Sequence, residues 1–132
     1  MIANEKFGSG IIKVKVTGYL KNNTENELLK ISAIGIKNKN KITYFDNDVK
    51  YTIKIKENEV YLSREGASFF NSFLFNNKKS TSNYLLKENN YNFDLEILMS
   101  FIDVKDNHIH INYKIVETNC DYEYQIEMSD VI

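Results

Sequence analysis

The sequence predicts an all-β chain whose strands form a meander and close into an antiparallel barrel of about 8–10 strands. Three observations carry this. Apolar and polar residues alternate with period two in segment after segment, the spacing of a strand with one face buried. Breaks rich in Asn and Asp recur between the segments, and these residues tolerate the left-handed backbone that tight hairpins need. The chain has no proline and only five glycines. A meander with one apolar face per strand must then close or stack, and closure removes the exposed edges that proline often protects.

The segments follow in order. Ile12, Val14 and Val16 share a face opposite Lys13, Lys15 and Thr17. Weaker strands follow over Glu27–Lys37 and Ile42–Phe45. Tyr51, Ile53 and Ile55 alternate with Thr52, Lys54 and Lys56, and Val60 and Leu62 with Tyr61 and Ser63. Ala67–Phe75 and Ser80–Leu86 supply two more strands. Phe93, Leu95, Ile97, Met99 and Phe101 make a long apolar row, opposed at first by Asp94 and Glu96. Ile109, Ile111, Tyr113 and Ile115 alternate with His108, His110, Asn112 and Lys114. Tyr122, Tyr124, Ile126 and Met128 close the pattern against Glu123, Gln125 and Glu127.

The chain has 132 residues, room for a single domain with a core of its own. That domain is expected to span residues 1–132, with 1–10 as a flexible or packing arm. Cys120 is the only cysteine, so no disulfide framework is expected. The first residues lack the apolar stretch of a secretion signal, and no apolar run is long enough to cross a bilayer. The expectation is a cytoplasmic protein without a membrane span. Many of the lysines and asparagines reflect A/T-rich coding, since Lys, Asn and Ile abound while Trp and Pro are absent. The net charge is −1, so composition gives no basic excess of the kind nucleic-acid binding shows.

Segment order and several runs resemble the uncharacterised bacterial YwiB-like family. The runs are the strand Ile12–Val16, Ser32-Ala33-Ile34-Gly35 leading into Lys41-Ile42-Thr43-Tyr44, Val60-Tyr61-Leu62-Ser63-Arg64-Glu65-Gly66-Ala67, and Ile109-His110-Ile111-Asn112-Tyr113. The resemblance spans nearly the whole chain and implies a calycin-like (lipocalin-like) barrel from a bacterium. It carries no activity with it. The chain departs from the family pattern at Glu88-Asn89-Asn90-Tyr91, where the family tends to place a glycine-containing turn.

Arg64, the single arginine, falls in phase with Val60 and Leu62 and therefore on an apolar face. A guanidinium there must be paired. It either closes one end of the barrel or anchors the carboxylate or phosphate of a ligand. Tyr44, Tyr51, Tyr113 and Tyr124 also lie on apolar faces, where each could offer a ring and a hydroxyl to a small molecule. With so many bulky aromatics inside, a filled interior is expected over a hollow one.

His108 and His110 project together. Ile109 and Ile111 claim the inward face, so the histidines are expected outside, with no third ligand for a metal. The lysine rows are outward by phase and expected to be solvated, with Glu123, Glu127, Asp94 and Glu96 as cross-strand partners. Phe69–Phe75 is apolar on both faces. If Phe69, Phe73 and Phe75 point inward, Phe70 and Leu74 need cover, which a homodimer would supply.

No phosphate-binding glycine loop, nucleophile elbow or paired Cys/His arrangement is present. The expectation is a non-enzymatic barrel that binds a small, partly apolar or anionic ligand, without cofactor or metal. Its alternative is a solid-core interaction module working through Phe69–Phe75.

Overall fold

The computed structural model describes residues 11–131, so the expected arm at 1–10 lies outside the described residues. Ten strands follow one another: β1 (Ile11–Asn22), β2 (Glu27–Asn38), β3 (Lys41–Asp46), β4 (Val49–Lys56), β5 (Glu59–Glu65), β6 (Phe69–Asn76), β7 (Ser80–Leu86), β8 (Tyr91–Lys105), β9 (His108–Ile115) and β10 (Cys120–Asp130). Each pairs antiparallel with the next, and β1 pairs with β10 to close the barrel. The expected meander is therefore observed. Apolar side chains point in and charged ones out, the reverse of a barrel that spans a bilayer. Among the described residues no helix is long and apolar enough to cross a membrane.

Turn chemistry follows the asparagine pattern. Asn26, Asn47, Asp48, Asn58, Asn90 and Asn119 all adopt positive φ, and among the described residues no glycine does. Lys39 is the exception, at φ 58°, a strained choice for a side chain without a local hydrogen-bonding group. At Glu88–Tyr91, Asn90 takes φ 53° and so supplies the left-handed position that a glycine turn would otherwise provide. Asn22 ends β1 by accepting the backbone N–H groups of Thr24 and Glu25, both at 3.0 Å.

Glycine matters most at the closing seam. Gly18 sits opposite Ile126 of β10 and Ile31 of β2, and a Cβ there would run into the Gln125 carbonyl. The nearby β2–β3 seam is looser. β3 pairs with β2 only over Ile36↔Thr43, Lys37↔Ile42 and Asn38↔Lys41.

The apolar row expected from Phe93 to Phe101 is broken. The β8–β9 register shifts between Met99 and Phe101, a bulge that spends one extra residue and reverses the alternation after it. Phe101 accordingly points outward and is 45% exposed, while Ile102 and Val104 pack against the core in its place.

The end of the barrel carrying the β2–β3, β4–β5, β6–β7 and β8–β9 turns is solid. Val14, Val16, Ile42, Ile53, Val60, Phe75, Ile109 and Ile126 are fully buried there. The other end, with the β1–β2 and β9–β10 turns, is not filled. The interior thus departs from the filled core expected of so many aromatics, because its upper positions include Asn71, and Ser82 level with Phe73 and Leu95, where a solid core would need bulk.

Candidate functional site

Register alone assembles the site. On β5, Val60, Leu62 and Arg64 alternate inward. Arg64 lies opposite Tyr51 of β4 and Asn71 of β6. Tyr51 in turn lies opposite Tyr44, and Asn71 opposite Tyr84. A single inward row, Tyr44–Tyr51–Arg64–Asn71–Tyr84, therefore runs across five neighbouring strands.

Facing it across the interior are Leu20 and Leu29 from the β1–β2 hairpin and Tyr113, Tyr122 and Tyr124 from β9 and β10. Between the two walls is a cavity of about 290 Å³, with Leu62, Phe73, Leu95 and Ile115 completing its lining. Half-exposed Leu29 marks its mouth. Small-molecule pockets run from roughly 300 to 1,000 Å³, so this one suits a compact ligand.

Arg64 is the only charged group on that wall. Its Nε donates to Asn71 Oδ1 at 3.1 Å, and its guanidinium lies 5.2 Å from the centre of the Phe69 ring. Asn71 is 2% exposed, and its Nδ2 donates to the Asn83 carbonyl at 3.0 Å. Asn71 is thus fixed from behind and holds the guanidinium at one edge. Among the described residues no carboxylate pairs with Arg64, and its Nη groups have no protein acceptor. A guanidinium is geometrically suited to grip a carboxylate or phosphate through two parallel bonds.

The tyrosines frame this charge as neutral groups. Burial pushes the Tyr113 and Tyr124 hydroxyls well above the usual phenol range, and nearby tyrosine hydroxyls add to the effect. Tyr122 is raised for the same first reason. The rings are braced in pairs: Tyr113 stacks on Tyr122 at 5.3 Å and Phe69 on Tyr84 at 5.9 Å. The Tyr124 hydroxyl is enclosed and has no partner in hydrogen-bonding geometry, with the Tyr44 hydroxyl as its polar neighbour.

Of the residues singled out in the sequence, Arg64, Tyr51, Tyr113 and Tyr124 meet around this one cavity. Tyr44 does not reach its wall. It is 2% exposed and stacks against Tyr51 at 4.8 Å, one layer behind. Phe70 and Leu74 lie on the outer face of β6 and are half-buried. Phe70 sits opposite Glu65 and Leu85, and Leu74 opposite Tyr61 and Thr81, so neighbouring strands already give them cover.

The histidines face outward, where they pair with β10. His110 Nε2 lies 2.9 Å from Glu123 Oε2, and His108 Nδ1 lies 3.9 Å from Glu127 Oε2. Glu123 also accepts the Tyr19 hydroxyl at 3.0 Å. Histidines, not the expected lysines, are therefore the partners of these acids.

Sequence reasoning missed Asn71, although its signal was present: a single amide in phase with Phe69, Phe73 and Phe75 is a polar group that must find partners indoors. Tyr84 and the two leucines carried no comparable mark, whereas Tyr122 shared the apolar face of its strand with Tyr124. A larger cleft, about 730 Å³, opens at the other end between Lys37, Lys39, Lys56 and Lys105. Lys37 is tied there to the Asp106 carbonyl at 3.2 Å, and the cleft lies on the surface, so the apolar interior cavity is the better candidate for a ligand.

No protein-family model matches the chain, and no curated protein matches it. Among solved structures, the ywiB protein from Bacillus subtilis is similar, at 18% identity, a TM-score of 0.66 and coverage of 93% of each chain. The described residues therefore have a YwiB-like fold: a closed barrel of ten antiparallel strands.

Proposed function

We propose that this chain is a cytoplasmic, non-enzymatic binding protein of the YwiB-like family, calycin-like in architecture, that takes one small aromatic or partly apolar anion into its upper cavity. The observation that carries this reading is Arg64. It is the one charge on an apolar wall, is held at one edge by Asn71, and has no carboxylate partner among the described residues. A bound anion would accept from the remaining guanidinium N–H groups, while the tyrosine rings of both walls enclose its apolar body.

Two further features support a ligand. The Tyr124 hydroxyl is enclosed with the buried Tyr44 hydroxyl as its polar neighbour, and an acceptor delivered to the cavity would give it a well-aligned partner. The lining residues include no carboxylate, imidazole or thiol, and burial keeps the Tyr113 and Tyr124 hydroxyls protonated, which suits holding a ligand better than transforming it. Cys120 is a buried free thiol, in keeping with a reducing compartment. Dimerisation through Phe70 and Leu74 has less behind it, because both side chains are already half covered.

Amide and methyl NMR spectra recorded during titration with naphthoate test the reading. Shifts should concentrate on β4–β6 and on β9–β10 around Tyr113 and Tyr124. Shifts confined to the outer surface, or none at saturating naphthoate, would refute it.

A further inference from the structure

The near-zero net charge conceals a division of the outer surface. On the wall formed by β1 to β4, the outward positions carry Lys13, Lys15, Lys30, Lys41, Lys50 and Lys54, and no Asp or Glu points outward from the body of these strands. None of these six forms an ion pair among the described residues. Outward acids lie across the barrel on β8, as Asp94, Glu96 and Asp103, and border the basic wall on its two neighbouring strands, as Glu123 and Glu127 on β10 and Glu59 and Glu65 on β5.

The same basic wall holds three well-exposed apolar side chains. Phe45 is 63% exposed, Ile34 55% and Ile36 54%. Register places them centrally. Ile34 and Ile36 on β2 face Lys15 and Lys13 of β1, while Phe45 on β3 faces Lys50 of β4. An apolar ridge on two middle strands is thus flanked by lysines on the strands to either side. A convex wall touching a plane would seat its ridge deepest and bring its flanks to the plane's surface.

We propose that the β1–β4 wall is a docking face for an anionic phospholipid bilayer, with Ile34, Ile36 and Phe45 entering the headgroup boundary and the flanking lysines meeting acidic headgroups. Charge complementarity names the partner, and the aliphatic ridge separates it from nucleic acid. Only Phe45 of the three offers a ring on which a base could stack, and single-strand binding uses successive aromatics, whereas apolar side chains with surrounding Lys are what an interfacial contact uses. Peripheral docking needs no spanning segment, so it is compatible with the absence of an apolar run in the sequence.

Vesicle sedimentation tests the proposal. At low ionic strength the protein should pellet with vesicles of phosphatidylcholine mixed with phosphatidylglycerol and not with phosphatidylcholine alone. About 1 M salt, where the Debye length falls to about 3 Å, should release it. Each lysine near an anionic surface is worth about fivefold in affinity. Lys15→Glu with Lys54→Glu should therefore weaken binding at least about 25-fold. Phe45→Ser should weaken it at unchanged charge, and Glu96→Lys on β8, across the barrel, should not weaken it. All four positions are on the outer face, and far-UV circular dichroism checks that each variant keeps its strands.

Equal pelleting with neutral and anionic vesicles would overturn the proposal, as would loss of binding in neither variant of the basic wall. Retention of single-stranded RNA by the protein without any vesicle binding would overturn it in favour of nucleic acid. A stable dimer broken by Phe45→Ser, again without vesicle binding, would overturn it in favour of self-association.

Discussion

Replacing Arg64 by methionine separates an anchoring arginine from a structural one. Methionine keeps the apolar stem against Phe69 and removes the charge. The loss comprises one charge-assisted hydrogen bond to Asn71, worth about 1.5–3 kcal/mol, and the contact over the Phe69 ring, worth about 0.5–1 kcal/mol. Relief from holding a part-buried guanidinium without a counter-charge offsets much of this. The expected net loss of stability is about 1–2 kcal/mol, read as a modest fall in the urea midpoint at unchanged slope.

Anion binding should suffer far more. Two charge-assisted bonds from the guanidinium are together worth about 3 kcal/mol or more, so affinity for an aromatic carboxylate should fall about 100-fold. Isothermal titration of wild type and variant reads that change. If Arg64 instead locks the barrel end through a buried pair, its removal costs about 3–5 kcal/mol. A loss of that size with anion affinity unchanged would refute the reasoning.

Other consequences are open to direct measurement. Asn71→Leu removes the group that fixes the guanidinium edge and leaves the Asn83 carbonyl without its donor; it should cost about 1–3 kcal/mol in urea unfolding and weaken anion binding as well. Gly18→Ala forces a methyl group against the Gln125 carbonyl at the closing seam, and a stability loss of at least about 1–3 kcal/mol is expected, whereas an unchanged midpoint would show that the β1–β10 contact is looser than described. Alkali should also destabilise the protein. Burial raises the Tyr44, Tyr113 and Tyr124 hydroxyls in the folded chain, while in the unfolded chain they ionise near pH 10. The unfolded state then loses protons first, so stability is complete below about pH 10 and falls above it by about 1.4 kcal/mol per pH unit for each such tyrosine. Urea midpoints followed from about pH 8 to about pH 11 should drop together with the rise of phenolate absorbance, and a flat midpoint would count against the buried assignment.

Most of the fold was legible because period-two alternation survives wherever a strand has one face in the core. Val14 and Val16, Ile109 and Ile111, and Tyr124 and Ile126 all lie where their phase put them. Phase failed at Ser100. A bulge is set by how two strands fit across a barrel wall, and nothing local between Met99 and Phe101 announces the extra residue.

The site was half legible by the same logic. Arg64 stood out as a charge on an apolar phase, and its cavity partners Tyr51, Tyr113 and Tyr124 shared its inward orientation. That Tyr44 lies one layer behind Tyr51 depends on the stagger between strands, which the sequence does not carry. The hollow upper end was also hidden. It arises because Asn71 and Ser82 occupy levels of different strands that only the closed barrel brings together. The segregation of charge was invisible for a related reason. Lysine-rich β1–β4 and acid-rich β8 and β10 are far apart along the chain, and composition averages them to −1.

The most direct test of the central claim compares naphthoate with its neutral isostere naphthamide by isothermal titration at equal ionic strength. The two fill the same space, so the difference in affinity isolates the charge that Arg64 is said to receive. Binding of the carboxylate at least about tenfold tighter, with that preference abolished in Arg64→Met, is the predicted result. Equal affinity for the two compounds, or a preference that persists without Arg64, would contradict the account.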